Sequence, residues 1–460
     1  MVLYGLWVAW TPLLPRNLYV PLLDLGKITG YTWPSALKYL GLVLGLNALY
    51  AIGYSIVARG RAGARFVFVF AGICCFELLW VYPATAVDVF AYAAHGRLLA
   101  WHGLNPLIAP PNTVPDDALL PYLAFPAEPS QYGPVWVLLN GALARLAKGN
   151  LEVEILLYKV LGSLAHLAGG AVILAIAARL GAGNARALAS AYLFLCNPLL
   201  LWEMVGNAHN DGLMMLGGLG AAWLLTSRAD RWVLPAVALG ALVKLPVMVI
   251  GLPFGIAIWH RRWRAAIEGV LLALALAVAA YRPFWQGPET LTALRRTDLF
   301  TASLGSVVRQ ALEPPLGEAI AASIGRFGVI AAFGAVCLVV LWHLVRPRHL
   351  ADILMCAYAV LMALLLLANT WFQAWYVVWP FAFGAALAST RRHLEVALLA
   401  LGGLLQYFVF IYLWVMGVVQ TPMIQYAAYA AVLGPLVLGL AVVRLGARAA
   451  RPAQASVPAH

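Results

Sequence analysis

The chain has 460 residues, of which 63% are hydrophobic and 10% charged, with a mean hydropathy of +0.86. Soluble domains carry roughly 25% charged residues, so a water-soluble globule is excluded. The net charge of +12 does not argue for nucleic acid, because the cations fall in short clusters between apolar runs, the pattern that marks cytoplasmic loops and contacts anionic headgroups.

Apolar runs lie near 2–24, 36–57, 66–83, 154–178, 187–206, 211–226, 265–283, 327–345, 351–369, 375–389, 395–416 and 425–444. About 20 such residues cross a bilayer as a helix, so the chain reads as an all-α polytopic membrane protein. The opening "MVLYGLWVAWTPLLP" lacks a charged leader region and a small-residue cleavage site and reads as an uncleaved first helix. The five cysteines all fall within apolar runs and are expected as buried thiols.

Two further segments do not fit a simple crossing. "GPVWVLLNGALARLAKG" (133–149) is short and carries Arg145 and Lys148. It is expected to dip in from the outer surface. "LPAVALGALVKLPVMVIGLPFGIAIW" (234–259) has basic clusters, "RADR" and "RRWR", at both ends. Two half-helices meeting at Lys244–Pro246 satisfy the charge rule, and the proline breaks the backbone ladder there. Irregular backbone at membrane depth is tolerated where it is buried or lines a cavity. This topology puts the loops 84–132, 206–211 and 284–326 and the tip 369–376 on one outer face. Residues 1–445 read as a single domain and 446–460 as a disordered cytoplasmic tail.

Only 18 acidic residues occur. Most adjoin basic clusters or lie in loops, which leaves Glu77, Asp88, Glu203 and Asp211 at or near hydrocarbon depth, where an ionisable group is a functional hypothesis. Asp88 leads this set: in a helical "DVFAYAAHGRLLAWHG" it shares a face with Tyr92 and His95. A capping role for Asp88 is the competing reading. In "GNAHNDGLMM", His209, Asn210 and Asp211 sit between two apolar runs, where a cap and turn would also account for them. Lys244, amid apolar residues beside a helix break, calls for an anionic partner, and a lipid-linked phosphate would serve. Arg295 and Arg296 lie on the outer face against the charge rule. The tip "WFQAWY", with Gln373, Trp375 and Tyr376, either stacks a sugar or forms an interfacial belt. Arg97 reads as a headgroup anchor.

Five stretches occur in a characteristic order: "DVFAYAAHGRLLAWHGLNP", "QYGPVWVLLN" with Tyr132, "GNAHNDGLM", "ALVKLP" and "FQAWYVVWP". Together, over roughly 66–385, they resemble the bacterial polyprenyl-phosphate-mannose-dependent α-(1→6)-mannosyltransferases of the GT-C superfamily. The resemblance implies a GT-C-type fold with about 12–14 transmembrane helices and a large first extracytoplasmic loop, here 84–149, carrying juxtamembrane helices. It implies a polyprenyl-phosphate-linked sugar donor, a glycan or glycolipid acceptor, surrounding membrane lipids and a multi-pass protein working at the extracytoplasmic face of the cell membrane. The catalytic carboxylate of that family matches Asp88. No second acidic residue adjoins Asp88, so no cofactor is expected, although a divalent metal stays open. Tyr92, His95, Tyr132, His209, Asn210, Asp211, Lys244, Arg295, Arg296, Gln373, Trp375 and Tyr376 are the expected substrate-binding set. Transfer with inversion at the anomeric carbon needs one base, Asp88. A transporter or flippase for a polyprenyl-linked substrate, and a non-enzymatic assembly protein, are the alternative readings.

Overall fold

The computed structural model describes residues 13–295, 299–344 and 349–449. Among them there is no β-strand, only two isolated bridges, Leu13 with Val81 and Thr301 with Trp371. The expected all-α architecture is present. The start of the first apolar run, Arg296 and the end of the tail lie outside the described residues.

Among the described residues, fifteen α-helices of nine residues or more organise the fold: α1 (Trp33–Ala58), α2 (Ala64–Leu79), α3 (Asp88–His102), α4 (Pro134–Ala147), α5 (Leu151–Arg179), α6 (Asn184–Leu195), α7 (Asp211–Thr226), α8 (Val233–Ala241), α9 (Gly251–Tyr281), α10 (Leu304–Leu316), α11 (Glu318–Leu344), α12 (Leu350–Ala363), α13 (Val378–Ala386), α14 (Thr390–Tyr407) and α15 (Ile424–Ala449). Seven stretches among the described residues are long and apolar enough to cross a membrane, and an eighth is the pair α6 and Pro198–Gly206, bent by 44°. Side chains such as Phe66, Trp342 and Val442 are more than 60% exposed. Outward-facing apolar surface on this scale is stable in hydrocarbon and not in water.

The expected count of about 12–14 crossings exceeds the eight candidate spans among the described residues, and three shorter apolar helices bring the number to eleven. Pro134–Ala147, Asp211–Thr226 and Ala374–Ala386 are apolar but of 10–17 residues, and at 1.5 Å per residue α4 covers about 21 Å of a hydrocarbon core of about 30 Å. The expected short dip at 133–149 is thus a 14-residue helix. The run at 187–206 is broken, since Asn197 accepts hydrogen bonds from the backbone N–H groups of Leu199 and Leu200 and Pro198 opens a new turn. The expected outer loop at 284–326 needs correction. It holds the amphipathic helix α10, started by a Ser303–Ser306 capping box, and α11 already begins at Glu318.

The segment 234–259 breaks where Lys244–Pro246 was expected to break it. Helix α8 ends at Ala241, Lys244 has extended backbone (φ −156°, ψ 132°), and a 3₁₀ turn over Leu245–Ile250 leads into α9. Inside α9, Arg262 departs from helical geometry (φ −154°, ψ 78°). Leu234 approaches both Gly255 and Gly269. Fourteen residues of straight helix would separate those glycines by about 21 Å, so α9 doubles back at Arg262 into a hairpin. The basic cluster "RRWR" lies at its bend.

Candidate active site

The functional residues converge where α3, the connection 103–133 that follows it, the break after α8 and the turn before α13 meet. Helix α2 ends at Leu79, and the chain runs irregularly through 80–87 to Asp88, the first residue of α3. Gly133 then fastens this connection to the α8 break. Its N–H donates to the Val243 carbonyl (3.0 Å) and that of Val135 to the Leu242 carbonyl (3.1 Å). A Cβ at Gly133 would lie 2.1 Å from the Leu242 oxygen, so only glycine permits this approach. The clip sets Tyr132 against Lys244.

A cavity of about 140 Å³ opens there, lined among others by Asp88, His95, Tyr132, Lys244, Trp375 and Tyr376. Six residues expected from sequence thus line one cavity. The Asp88 side chain is 35% exposed. Its position is N1 of α3, behind Val87, and among the described residues its carboxylate accepts no capping hydrogen bond. The capping reading therefore does not account for it. His209 Nδ1 lies 3.8 Å from Asp88 Oδ2.

His209 is clamped. Its ring stacks on Trp375 at 4.0 Å and 15°, and its Nε2 lies 3.2 Å from Glu203 Oε2. Glu203 is wholly buried. It accepts hydrogen bonds from Tyr407 (2.8 Å) and Asn207 (2.9 Å), with the Thr85 hydroxyl at 3.5 Å. Two further elements hold this region in place. Leu201–Gly206 is a π-helical turn, and Lys159 of α5 donates to the carbonyls of Leu78 and Gly206, joining the end of α2 to that turn.

Lys244 has a protein partner, which corrects the expectation that an external phosphate neutralises it. Its Nζ donates to both oxygens of Asp211 (2.9 and 2.7 Å), and Trp379 Nε1 donates to the same carboxylate (2.6 Å). The ammonium also lies 4.6 Å from the ring centroid of Tyr376 and 5.6 Å from that of Tyr132. An ammonium has three donors, so one N–H remains for the cavity. Burial, and next the charge of Asp88, push the Tyr132 phenol well above its ordinary value, so it stays protonated as a donor.

Other expected residues stand back from the cavity. Tyr92 is fully buried, with its hydroxyl 3.4 Å from that of Tyr132. Asn210 is buried with neither amide atom hydrogen-bonded. Gln373 is half-buried outside the lining. The side chains of Arg295 and Arg296 lie outside the described residues. Arg97 is no headgroup anchor: it is buried, donates to Glu154 (2.8 and 3.0 Å) and lies 3.6 Å from Asp117. Sequence reasoning missed Trp379 and Lys159. Lys159, a lone lysine in the run "EILLYKVLG", carries the same signal as Lys244.

The fold and the pocket describe a membrane-embedded helical enzyme with an accessible carboxylate, a paired lysine and aromatic walls. The model of the alpha-(1->6)-mannopyranosyltransferase N-terminal domain matches residues 1–261, more than half of the chain, and the protein belongs to that family of membrane glycosyltransferases. The chain is 27% identical over 406 residues to alpha-(1->6)-mannopyranosyltransferase A of Mycobacterium tuberculosis, covering 82% of this chain and 74% of that protein. It is 27% identical over 299 residues to a probable alpha-(1->6)-mannopyranosyltransferase of Mycolicibacterium smegmatis, covering 56% and 50%. With alpha-(1->6)-mannopyranosyltransferase A of Corynebacterium glutamicum it shares 27% identity over 179 residues, 38% of this chain and 35% of that one. No solved structure matches the chain.

Proposed function

We infer that the protein transfers mannose from a polyprenyl-phosphate donor to a mannoside hydroxyl of a glycan or glycolipid on the extracytoplasmic face, with inversion at C1. The observation that carries this reading is the state of Asp88, an uncapped carboxylate on the cavity wall with Lys244 and a ring of aromatics around the same space. The α-(1→6) linkage named for the relatives makes a primary hydroxyl the acceptor.

In the proposed step the acceptor oxygen attacks C1 while Asp88 takes its proton, and the C1–O bond to phosphate breaks. The bonding electrons leave on the polyprenyl phosphate. The leaving group is already anionic, so the step needs cationic and hydrogen-bonding support more than a general acid. The remaining N–H of Lys244 and the Tyr132 hydroxyl supply it. Trp371, Trp375 and Tyr376 give the sugar apolar faces to lie against. His209, held by Glu203 and Trp375, keeps a polar edge beside Asp88.

The test is sugar transfer by purified protein from polyprenyl-phosphate-mannose to a short α-mannoside, wild type beside Asp88→Asn. Transfer by the wild type, lost in a mutant with an unchanged melting temperature, is the expected result. Equal rates in both would remove Asp88 as the base.

A further inference from the structure

A second cavity, of about 450 Å³, shares no lining residue with the catalytic pocket and lies between the two arms of the α9 hairpin. Its walls are aliphatic, aromatic or glycine, with Leu234, Gly255, Ile256, Trp259, Ile267 and Leu271 among them. The protein does not fill it. A Cβ at Gly251 would have its nearest neighbour at 3.8 Å and one at Gly255 at 4.0 Å. A slot of this kind, open to hydrocarbon, is completed by an alkyl chain, because lining atoms without contacts forfeit their dispersion energy.

The mouth of the groove is cationic. At the hairpin bend stand Arg262 and Arg264, and Arg228 and Arg231 precede α8 on the adjoining strand of chain. Asp230 is already taken by Arg261, which leaves Glu268 as the nearby acidic residue in sequence. Arg231 and Arg264 each lie 5.3 Å over a tryptophan ring, Trp232 and Trp263 respectively. Among the described residues neither they nor Arg262 has a carboxylate partner. Guanidinium groups held flat on aromatic rings keep their donor edges free for a phosphate. Trp232, Trp259 and Trp263 are about half exposed (46%, 53% and 52%), as expected of side chains at a headgroup boundary.

We propose that the α9 hairpin is a binding site for one anionic glycerophospholipid, with an acyl chain between its arms and the phosphate on Arg262 and Arg264. The occupant is a bilayer phospholipid and not the sugar donor. The Arg261–Asp230 pair marks the mouth, before α8, and Lys244 follows the other end of α8, whose nine residues separate the two ends by about 13 Å at helical rise. A phosphate at the mouth does not reach the pocket of Asp88. The lipid braces the hairpin that follows the Lys244 break by one 3₁₀ turn. The site stands whether or not Asp88 is the base.

Native mass spectrometry of the full-length protein, stripped of lipid in detergent and titrated with dioleoyl phosphatidylglycerol or dioleoyl phosphatidylcholine, tests it. The expected result is one phosphatidylglycerol bound at least about tenfold more tightly than phosphatidylcholine, a difference of about 1.4 kcal/mol. Arg262→Gln with Arg264→Gln removes the headgroup contact. Gly255→Leu on one arm, or Ile267→Trp on the other, fills the groove without touching charge. Each change is expected to abolish the preference, while Arg59→Gln with Arg61→Gln, equal in charge removed but in another basic loop, leaves it. Equal binding of both lipids, equal loss in the Arg59 and Arg61 control, or full affinity in a folded groove-filled variant overturns the site. Tighter binding of a polyprenyl phosphate than of phosphatidylglycerol, sensitive to the same variants, overturns it in favour of the donor.

Discussion

The two sides of His209 are built on opposite rules. On the inner side, Glu203 is sealed from solvent, with Tyr407, Asn207 and Thr85 directed at its oxygens. On the outer side, Asp88 is a third exposed and accepts no hydrogen bond from the described residues. A carboxylate with its acceptor sites filled is a structural anchor, whereas one left open at a cavity has capacity for a proton. Closeness to an apolar run does not separate the two. The donors around them do.

The largest effect expected from this contrast is on rate. Asp88→Asn is expected to lower transfer by about 10²–10⁴-fold, the usual contribution of a positioned base, with no loss of thermal stability. Glu203→Gln reverses the pattern. Its amide nitrogen faces donors instead of accepting from them, an unsatisfied arrangement of about 1–3 kcal/mol. A lowered melting temperature and a turnover per folded molecule reduced much less than in Asp88→Asn would support the division. The opposite ranking would break it.

The two buried ion pairs sharpen the same comparison. Lys244, paired with Asp211, lines the cavity, and Arg97–Glu154 is buried outside its lining. Removing one partner of a buried pair costs about 3–5 kcal/mol, because the other charge is left uncompensated. Lys244→Met and Arg97→Gln are both expected to fall in that range by thermal melting. Adding Asp211→Asn to Lys244→Met should restore much of the stability but not the transfer rate. Recovery of both would make Lys244 a purely structural cation.

Much of this was legible in the sequence because the membrane makes charge expensive. In so apolar a chain, Asp88, Glu203, Asp211 and Lys244 stand out singly, and the break at Lys244–Pro246 follows from proline and the charge rule. Partnership was not legible. Lys244 and Asp211 are 33 residues apart, Arg97 and Glu154 are 57 apart, and no local period links either pair. The hairpin was half legible, since "RRWR" marked the bend but its non-helical geometry belongs to Arg262 alone. The outer loop at 284–326 was misjudged because "LGSVVRQALEPPLG" alternates polar and apolar residues, as an amphipathic helix does, without the long apolar run that betrays a crossing.

The smallest expected effect separates His95 from His209, the two histidines beside the cavity. His95 is buried, with Nε2 3.3 Å from the Glu128 carbonyl oxygen, and burial lowers its pKa from 6.5 to about 4. In this window the unfolded chain binds a proton that the folded protein does not, so stability falls as pH drops from about 6.5 towards 4. His95→Gln removes that titration and should flatten the acid side of a melting-temperature profile, provided the Glu128 contact survives in the amide. Above pH 7 the variant and the wild type should differ only by the lost packing. A slope between pH 6.5 and 4 unchanged by the substitution would show that His95 takes up its proton in the folded protein as in the unfolded chain, which would put a cation at acid pH in the same cavity lining as Lys244.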